Sequence, residues 1–203
     1  MHPVEQKRPD VKDQRDDFRL EQGHMDVSKL VFLDECGTNT GMTRLYGRAF
    51  EGNRVVDYVP DVRYETTTLL SSMRLDGTTV PVCIDGALNG DIFKVYISDC
   101  LAPTLRKGDI VFMDQLSSHK VKGVVEAIEA VGAFVFYLPP YSPDLNPIEQ
   151  MWSKIKSYIR KVKARTADAL FTAIGDALKL VSCEDINSWF FQAGYSSSIV
   201  NPL

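Results

Sequence analysis

Three carboxylates are placed where they could do chemistry on a phosphate. Asp34 lies at the end of the apolar run KLVFLDE (29–35) and Asp114 closes DIVFMD (109–114). Acids at the C-terminal ends of buried strands gather in the crevices of α/β sheets. Glu149 falls in the first turn of a helix opened by Asn146 and Pro147, with 34 residues between it and Asp114, which leaves room for one helix, one strand and one loop. Such a set suits magnesium, a hard cation that takes oxygen ligands and keeps several waters. Two ions about 3.5 to 4 Å apart could then activate an attacking oxygen and stabilise a leaving one. Two readings compete. Asn-Pro-Ile-Glu is also the string of a capping box, with Glu149 serving only the helix end. Glu35 rivals Asp34, because neighbouring strand residues face opposite sides and only one can join a cluster. Asp85, Asp109 and Asp144 read as turn residues.

The elements that must carry these acids are visible in the hydrophobic pattern. KLVFLDE has the look of a central strand buried on both faces. TRLYGRAF, NRVVDYV, TTTLLSSMRL and TTVPVCID are strand-like, with turns at Gly52-Asn53 and Asp76-Gly77, and together they predict an antiparallel meander. The period then lengthens. A helix is expected within 89–105, a strand over 109–114, a helix over 119–132 capped by Ser117 or Ser118, and a strand over 133–138. Three helices follow, the first from Pro147 to about Val162 with Ile148, Trp152, Ile155, Ile159 and Val162 as its apolar stripe. The order predicts an α/β domain from residue 28 to 203, its sheet antiparallel at the start and joined by βαβ crossovers. Residues 1–27 mix acids and bases with few apolar side chains, and read as a linker or a loosely docked helix.

The composition, 44% hydrophobic and 25% charged over 203 residues, is that of a globular domain able to bury a core without disulfides. No stretch is long and apolar enough to span a membrane, nor is there a signal peptide, so a cytoplasmic location is expected. Cys36, Cys83, Cys100 and Cys183 form no C-x-x-C pair and suit buried reduced thiols. There is no Gly-rich phosphate loop of the nucleotide-binding kinds. A net charge of −4 argues against nucleic-acid binding through overall charge, yet six basic residues and no acid lie between Gln150 and Ala167. Lys156, Arg160 and Lys163 follow Glu149 at helical spacing, so a polyanion leaving the acids could lie along them.

FLDECGTNTGMTRLYGRA, IVFMDQLSSHK and YLPPYSPDLNPIEQMWSKIK together resemble the DDE catalytic domain of bacterial insertion-sequence transposases of the mariner superfamily. The resemblance covers about residues 29–195. It implies a ribonuclease-H-like fold, two Mg²⁺ or Mn²⁺ ions, cleavage at transposon ends, and attack of the freed 3′-hydroxyl on target DNA. It assigns Asp34, Asp114 and Glu149 as catalytic metal ligands and prefers Asp34 over Glu35. It also makes His119 a candidate for holding a phosphate of the DNA or orienting the site. Gln115 departs from the Asn usual after the second acid. The helix-turn-helix reading domains of the family are not seen before the first strand, which suggests a separately encoded DNA-binding part, with a homodimer in the active complex. The rival functions are a catalytically idle regulatory fragment and, from the string DECGTNTG, an actin-like or sugar-kinase-type phosphotransferase.

Overall fold

A computed structural model describes residues 3–59, 61 and 64–196, so the last seven residues of the expected domain lie outside the described residues. Five strands form one mixed sheet: β1 Leu30–Asn39, β2 Thr66–Arg74, β3 Val82–Asp85, β4 Ile110–Met113 and β5 Phe134–Tyr137, in the order β3-β2-β1-β4-β5. β1 pairs antiparallel with β2, and β2 with β3, whereas β1, β4 and β5 run parallel. The antiparallel start and the crossovers are as expected. The meander is shorter. TRLYGRAF and NRVVDYV form no strand: both edges of β1 are taken by β2 and β4, and Tyr46, Phe50 and Tyr58 stand in solvent.

Six α-helices flank the sheet: α1 Pro9–Gln22, α2 Gly90–Val95, α3 Val124–Glu129, α4 Ile148–Val162, α5 Ala167–Lys179 and α6 Cys183–Gln192. Asn89 caps α2 by accepting from the Ile92 N–H, and the helix widens into a π turn over Tyr96–Leu101. α3 is shorter than its stripe predicts. Ser117–Lys120 makes a separate 3-10 turn, and Gly123, at φ +99°, starts α3 while Glu126 accepts from its N–H, so neither Ser117 nor Ser118 is the cap. In α4 the buried stripe is Ile148, Met151, Trp152, Ile155 and Ile159; Val162 is exposed at the fraying end.

The pleat of the sheet divides the core in two. Phe32 and Phe112 stack at 5.2 Å on the face covered by α4, α5 and α6, while Val31, Leu33, Val111 and Met113 pack against Phe93, Ile97, Val124 and Ile128 on the other. Each such fully buried side chain contributes roughly 1.5 to 3 kcal/mol. Residues 3–27 are docked more firmly than their composition suggests. Val11, Arg15, Phe18 and Gln22 make one buried stripe of α1, and Phe18 meets Phe112 edge-on at 5.9 Å. Half of that stripe is polar and satisfied by specific partners, which hides it from a hydrophobicity count.

Asp109 is more than a turn residue: it accepts from the Arg106 N–H and forms a buried ion pair with Arg74 of β2. Of the thiols, Cys36 alone is buried, and Cys83 and Cys183 are exposed.

Candidate active site

The parallel pairing of β1 and β4 sets the first two acids side by side. Leu30 pairs with Ile110, Val31 with Val111 and Phe32 with Phe112, a constant offset of 80 residues that, carried two residues on, puts Asp34 abreast of Asp114. Both acids share the face of Phe32 and Phe112, on which α4 lies. Asp34, Asp114 and Glu149 accordingly line one cleft of about 500 Å³, walled on its far side by the loop from Leu138 to Pro143. Among the described residues, no three His, Cys, Asp or Glu side chains stand close enough to ligate one ion as they are.

Asp34 is the buried member. Its Oδ2 accepts from Asn146 Nδ2 at 3.1 Å and from Trp152 Nε1 at 3.3 Å, and its Oδ1 from the Glu35 N–H at 2.8 Å. Burial, aided by the negative charges of Glu149, Glu35 and Asp114, pushes its carboxyl up to about 8. Burial raises Glu149 as well, Asp114 adding to the rise and Lys156 opposing it. For Asp114 burial also acts upward but is outweighed by His119 and the Leu116 N–H, so this carboxyl titrates below its ordinary value. The capping-box reading of Glu149 is not realised. Asn146 spends its side chain on Asp34, α4 has no side-chain cap, and only the backbone oxygen of Asn146 receives the Glu149 N–H.

Glu35 has a different role from its neighbour. It points to the opposite face, where its Oε2 lies 3.0 Å from His119 Nε2; the other ring nitrogen, Nδ1, lies 2.7 Å from Asp114 Oδ1, out of line for a hydrogen bond. Burial works against a charge on His119, but the two carboxylates prevail and lift it to about 9. The ring stacks on Phe93 at 4.4 Å and is wholly buried, so His119 reaches no external phosphate and instead ties Asp114 to Glu35. Sequence reasoning gave Glu35 no such part; the signal was the acid pair closing the apolar run KLVFLDE together with a histidine five residues after Asp114. Gln115 donates to the Leu138 carbonyl at 3.2 Å, joining the ends of β4 and β5 beside the cleft.

Along α4, Lys156 and Arg160 are half-exposed and have no ion-pair partner among the described residues. Lys163, at φ +56° just beyond the helix, is engaged: its Nζ holds both oxygens of Asp57 at 2.5 and 2.6 Å.

Asp34 lies not at a strand end, as expected, but midway along β1, whereas Asp114 directly follows β4. The sheet order, the flanking helices and acids abreast on the two central strands are the layout of a nuclease-like α/β domain. The family model of the DDE superfamily endonuclease matches residues 29–171, and the chain belongs to that family. Among its relatives is the Transposable element Tcb2 transposase of Caenorhabditis briggsae, 23% identical over an alignment of 186 residues that covers 83% of this chain and 66% of that protein. The fold is also that of a Mos1 transposase paired-end complex with left transposon end, at a TM-score of 0.75 and 12% identity over 95% of this chain and 61% of that one. The catalytic domain of Mos1 mariner transposase superposes with a TM-score of 0.67 at 11% identity, 95% of this chain covering 91% of it. The fold is therefore ribonuclease-H-like, and the chain spans less than two thirds of the Tcb2 protein and of the Mos1 chain in that complex. No described helix is long and apolar enough to cross a membrane.

Proposed function

We propose that this chain is the catalytic part of a mariner-type transposase, cutting DNA at transposon ends and joining the freed 3′-hydroxyl to target DNA, with Asp34, Asp114 and Glu149 holding divalent cations. The observation that carries the reading is that three carboxylates line one cleft, with the buried one raised to about 8 by burial and by its acidic neighbours. A cation relieves that cost, whereas a folded domain without one gains nothing from it.

The donor set fits a hard cation: every candidate ligand is an oxygen, and Asn146 Oδ1 is buried without a hydrogen-bond partner among the described residues. Mg²⁺ or Mn²⁺ bound there would supply Lewis-acid polarisation of a phosphate and a more acidic bound water or hydroxyl. The protein's own residues do the rest. Asn146 and Trp152 fix Asp34, the Glu35–His119 pair holds Asp114, and Glu149 approaches from the first turn of α4. Because the acids are not drawn together as folded, binding requires their convergence. Lys156 and Arg160 continue from Glu149 as a track for the DNA backbone, with Lys163 its weaker end. Mos1 transposase forms a strand transfer complex and paired-end complexes with Mn and with Mg, which supports the choice of cation and substrate. Two ions, a homodimer, a separately encoded helix-turn-helix part, residues 28–203 as the catalytic domain, a bacterial insertion-sequence origin and a cytoplasmic setting belong to the same proposal.

The test is Glu149→Gln in the full chain. Wild type should nick supercoiled plasmid with Mn²⁺ and be stabilised by it, by about 2.7 kcal/mol at a hundredfold excess over the dissociation constant. The variant should fold and lose both. Retention of nicking and of the Mn²⁺ response would leave Glu149 outside the site; a wild type indifferent to Mn²⁺ would favour the idle-fragment reading.

A further inference from the structure

We propose that Arg15, assisted by Gln6, is a positioning residue for the acid cluster: the N-terminal segment braces the loop that walls the cleft and so aims Asn146 at Asp34. The inference rests on the function proposed above only in calling the cluster catalytic; the brace itself is a matter of geometry.

Three polar side chains of the N-terminal segment converge on residues 141–144, the end of that loop and the turn that follows it. Arg15 donates from Nη1 to Ser142 Oγ at 2.7 Å and to Asp144 Oδ1 at 2.9 Å, and from Nη2 to Asp144 Oδ2 at 2.7 Å. Gln6 Nε2 donates to the Tyr141 carbonyl at 2.7 Å and to Asp144 Oδ1 at 3.2 Å, and Arg19 adds a longer contact to Asp144. Arg15 is 5% exposed, which is rare for an arginine unless its fork is filled. The loop needs such a brace. Tyr141 sits at φ +54°, a conformation that non-glycine residues adopt only when their surroundings impose it. Three residues past Pro143 the chain must deliver Asn146 to Asp34 and then enter α4 with Glu149 correctly turned. One of the three bonds Arg15 makes reaches Ser142 in the wall of the cleft, and the other two fix Asp144, two residues before the Asn146 that holds Asp34.

Arg15→Lys keeps the charge but cannot make the three-bond fork, and Arg15→Ala removes it; Gln14→Ala, on the exposed side of α1, is the control. The measurement is made on full-length chains well below their melting temperatures. Amide hydrogen exchange over residues 141–146 should speed up tenfold or more in both Arg15 variants while β1 and β4 stay protected, and the Mn²⁺ concentration for half-maximal thermal shift should rise at least fivefold. Plasmid nicking per folded molecule should drop about tenfold, with plasmid affinity in Ca²⁺ within twofold of wild type. Wild-type exchange at 141–146 and an unchanged Mn²⁺ midpoint in either folded variant would overturn the brace. Should wild type itself fail to nick, the proposed function falls, and the exchange data still decide the brace. Should Arg15→Ala not fold, Arg15→Lys decides it.

Discussion

Replacing Asp34 with Asn separates the cost of the site from its use. In the metal-free protein a carboxyl that titrates at about 8 rather than 3.8 makes charging Asp34 cost on the order of 5 kcal/mol. The sign follows from proton binding. Between pH 4 and pH 8 the unfolded chain has released this proton and the folded one retains it, so metal-free stability falls as pH rises through that window. Asparagine removes the titration. It also disturbs the contacts of Asp34, which accepts from three N–H groups, whereas an amide offers one oxygen; a mismatched donor costs about 1 to 3 kcal/mol. The balance is a variant more stable than wild type by about 2 to 4 kcal/mol at pH 8 in EDTA, and no more stable, or less, at pH 4. Urea denaturation across pH 4 to 9, with EDTA and with Mn²⁺, reads both halves, because Mn²⁺ should stabilise wild type and leave Asp34→Asn unmoved. A variant less stable than wild type at pH 8 in EDTA, or equally stabilised by Mn²⁺, would refute the argument that this buried charge is held in reserve for a cation.

Three further outcomes are expected. Lys156→Glu with Arg160→Glu should remove most low-salt binding to a random duplex and flatten the salt dependence by about two phosphate contacts, whereas Lys163→Glu alone should change little because Asp57 already occupies Lys163; fluorescence anisotropy over a salt series checks this. Arg74→Ala should destabilise by about 3 to 5 kcal/mol in chemical denaturation by leaving Asp109 buried and unpaired, with the Mn²⁺ midpoint of the folded protein unchanged. His119, lifted to about 9, contributes stability that is fully present below pH 6.5 and is lost as pH rises through 9; His119→Gln should therefore be most destabilising at pH 6 and converge on wild type near pH 10 in urea titrations.

Much of the site was legible because its strands are buried on both faces: KLVFLDE and DIVFMD advertise themselves as apolar runs, and their acids mark where those runs end, although β1 itself continues past Asp34 to Asn39. The register that sets Asp34 abreast of Asp114 was not legible, since nothing local records an 80-residue offset. Alternation posed the choice between Asp34 and Glu35 without settling it; resemblance to a family preferred Asp34, and the structure shows what Glu35 does instead. The strand-like pattern of 43–59 misled because side-chain alternation carries no information about a free sheet edge. Val162 was placed in the stripe of α4 and Met151 omitted because a 3.6-residue period tolerates either, and the fraying end of the helix decided it. The docking of α1 was not legible, and residues 1–27 read as a linker or a loosely docked helix, because Arg15 and Gln22 bury polar groups whose partners lie more than a hundred residues away.

The parallel pairing of β1 with β4 also bears on how the chain reaches this state. No hairpin can bring Asp34 to Asp114; the intervening residues, including β2, β3 and α2, must be ordered or at least closed into a loop before those two strands meet. Non-local pairing of this kind slows folding, and it places the assembly of the acid cluster late, after the antiparallel β1–β2 ladder with its shorter connection. A nascent chain would thus present no complete set of acids until its sheet has closed, and a folding intermediate that has only the ladder would be unable to capture a cation or to cut DNA.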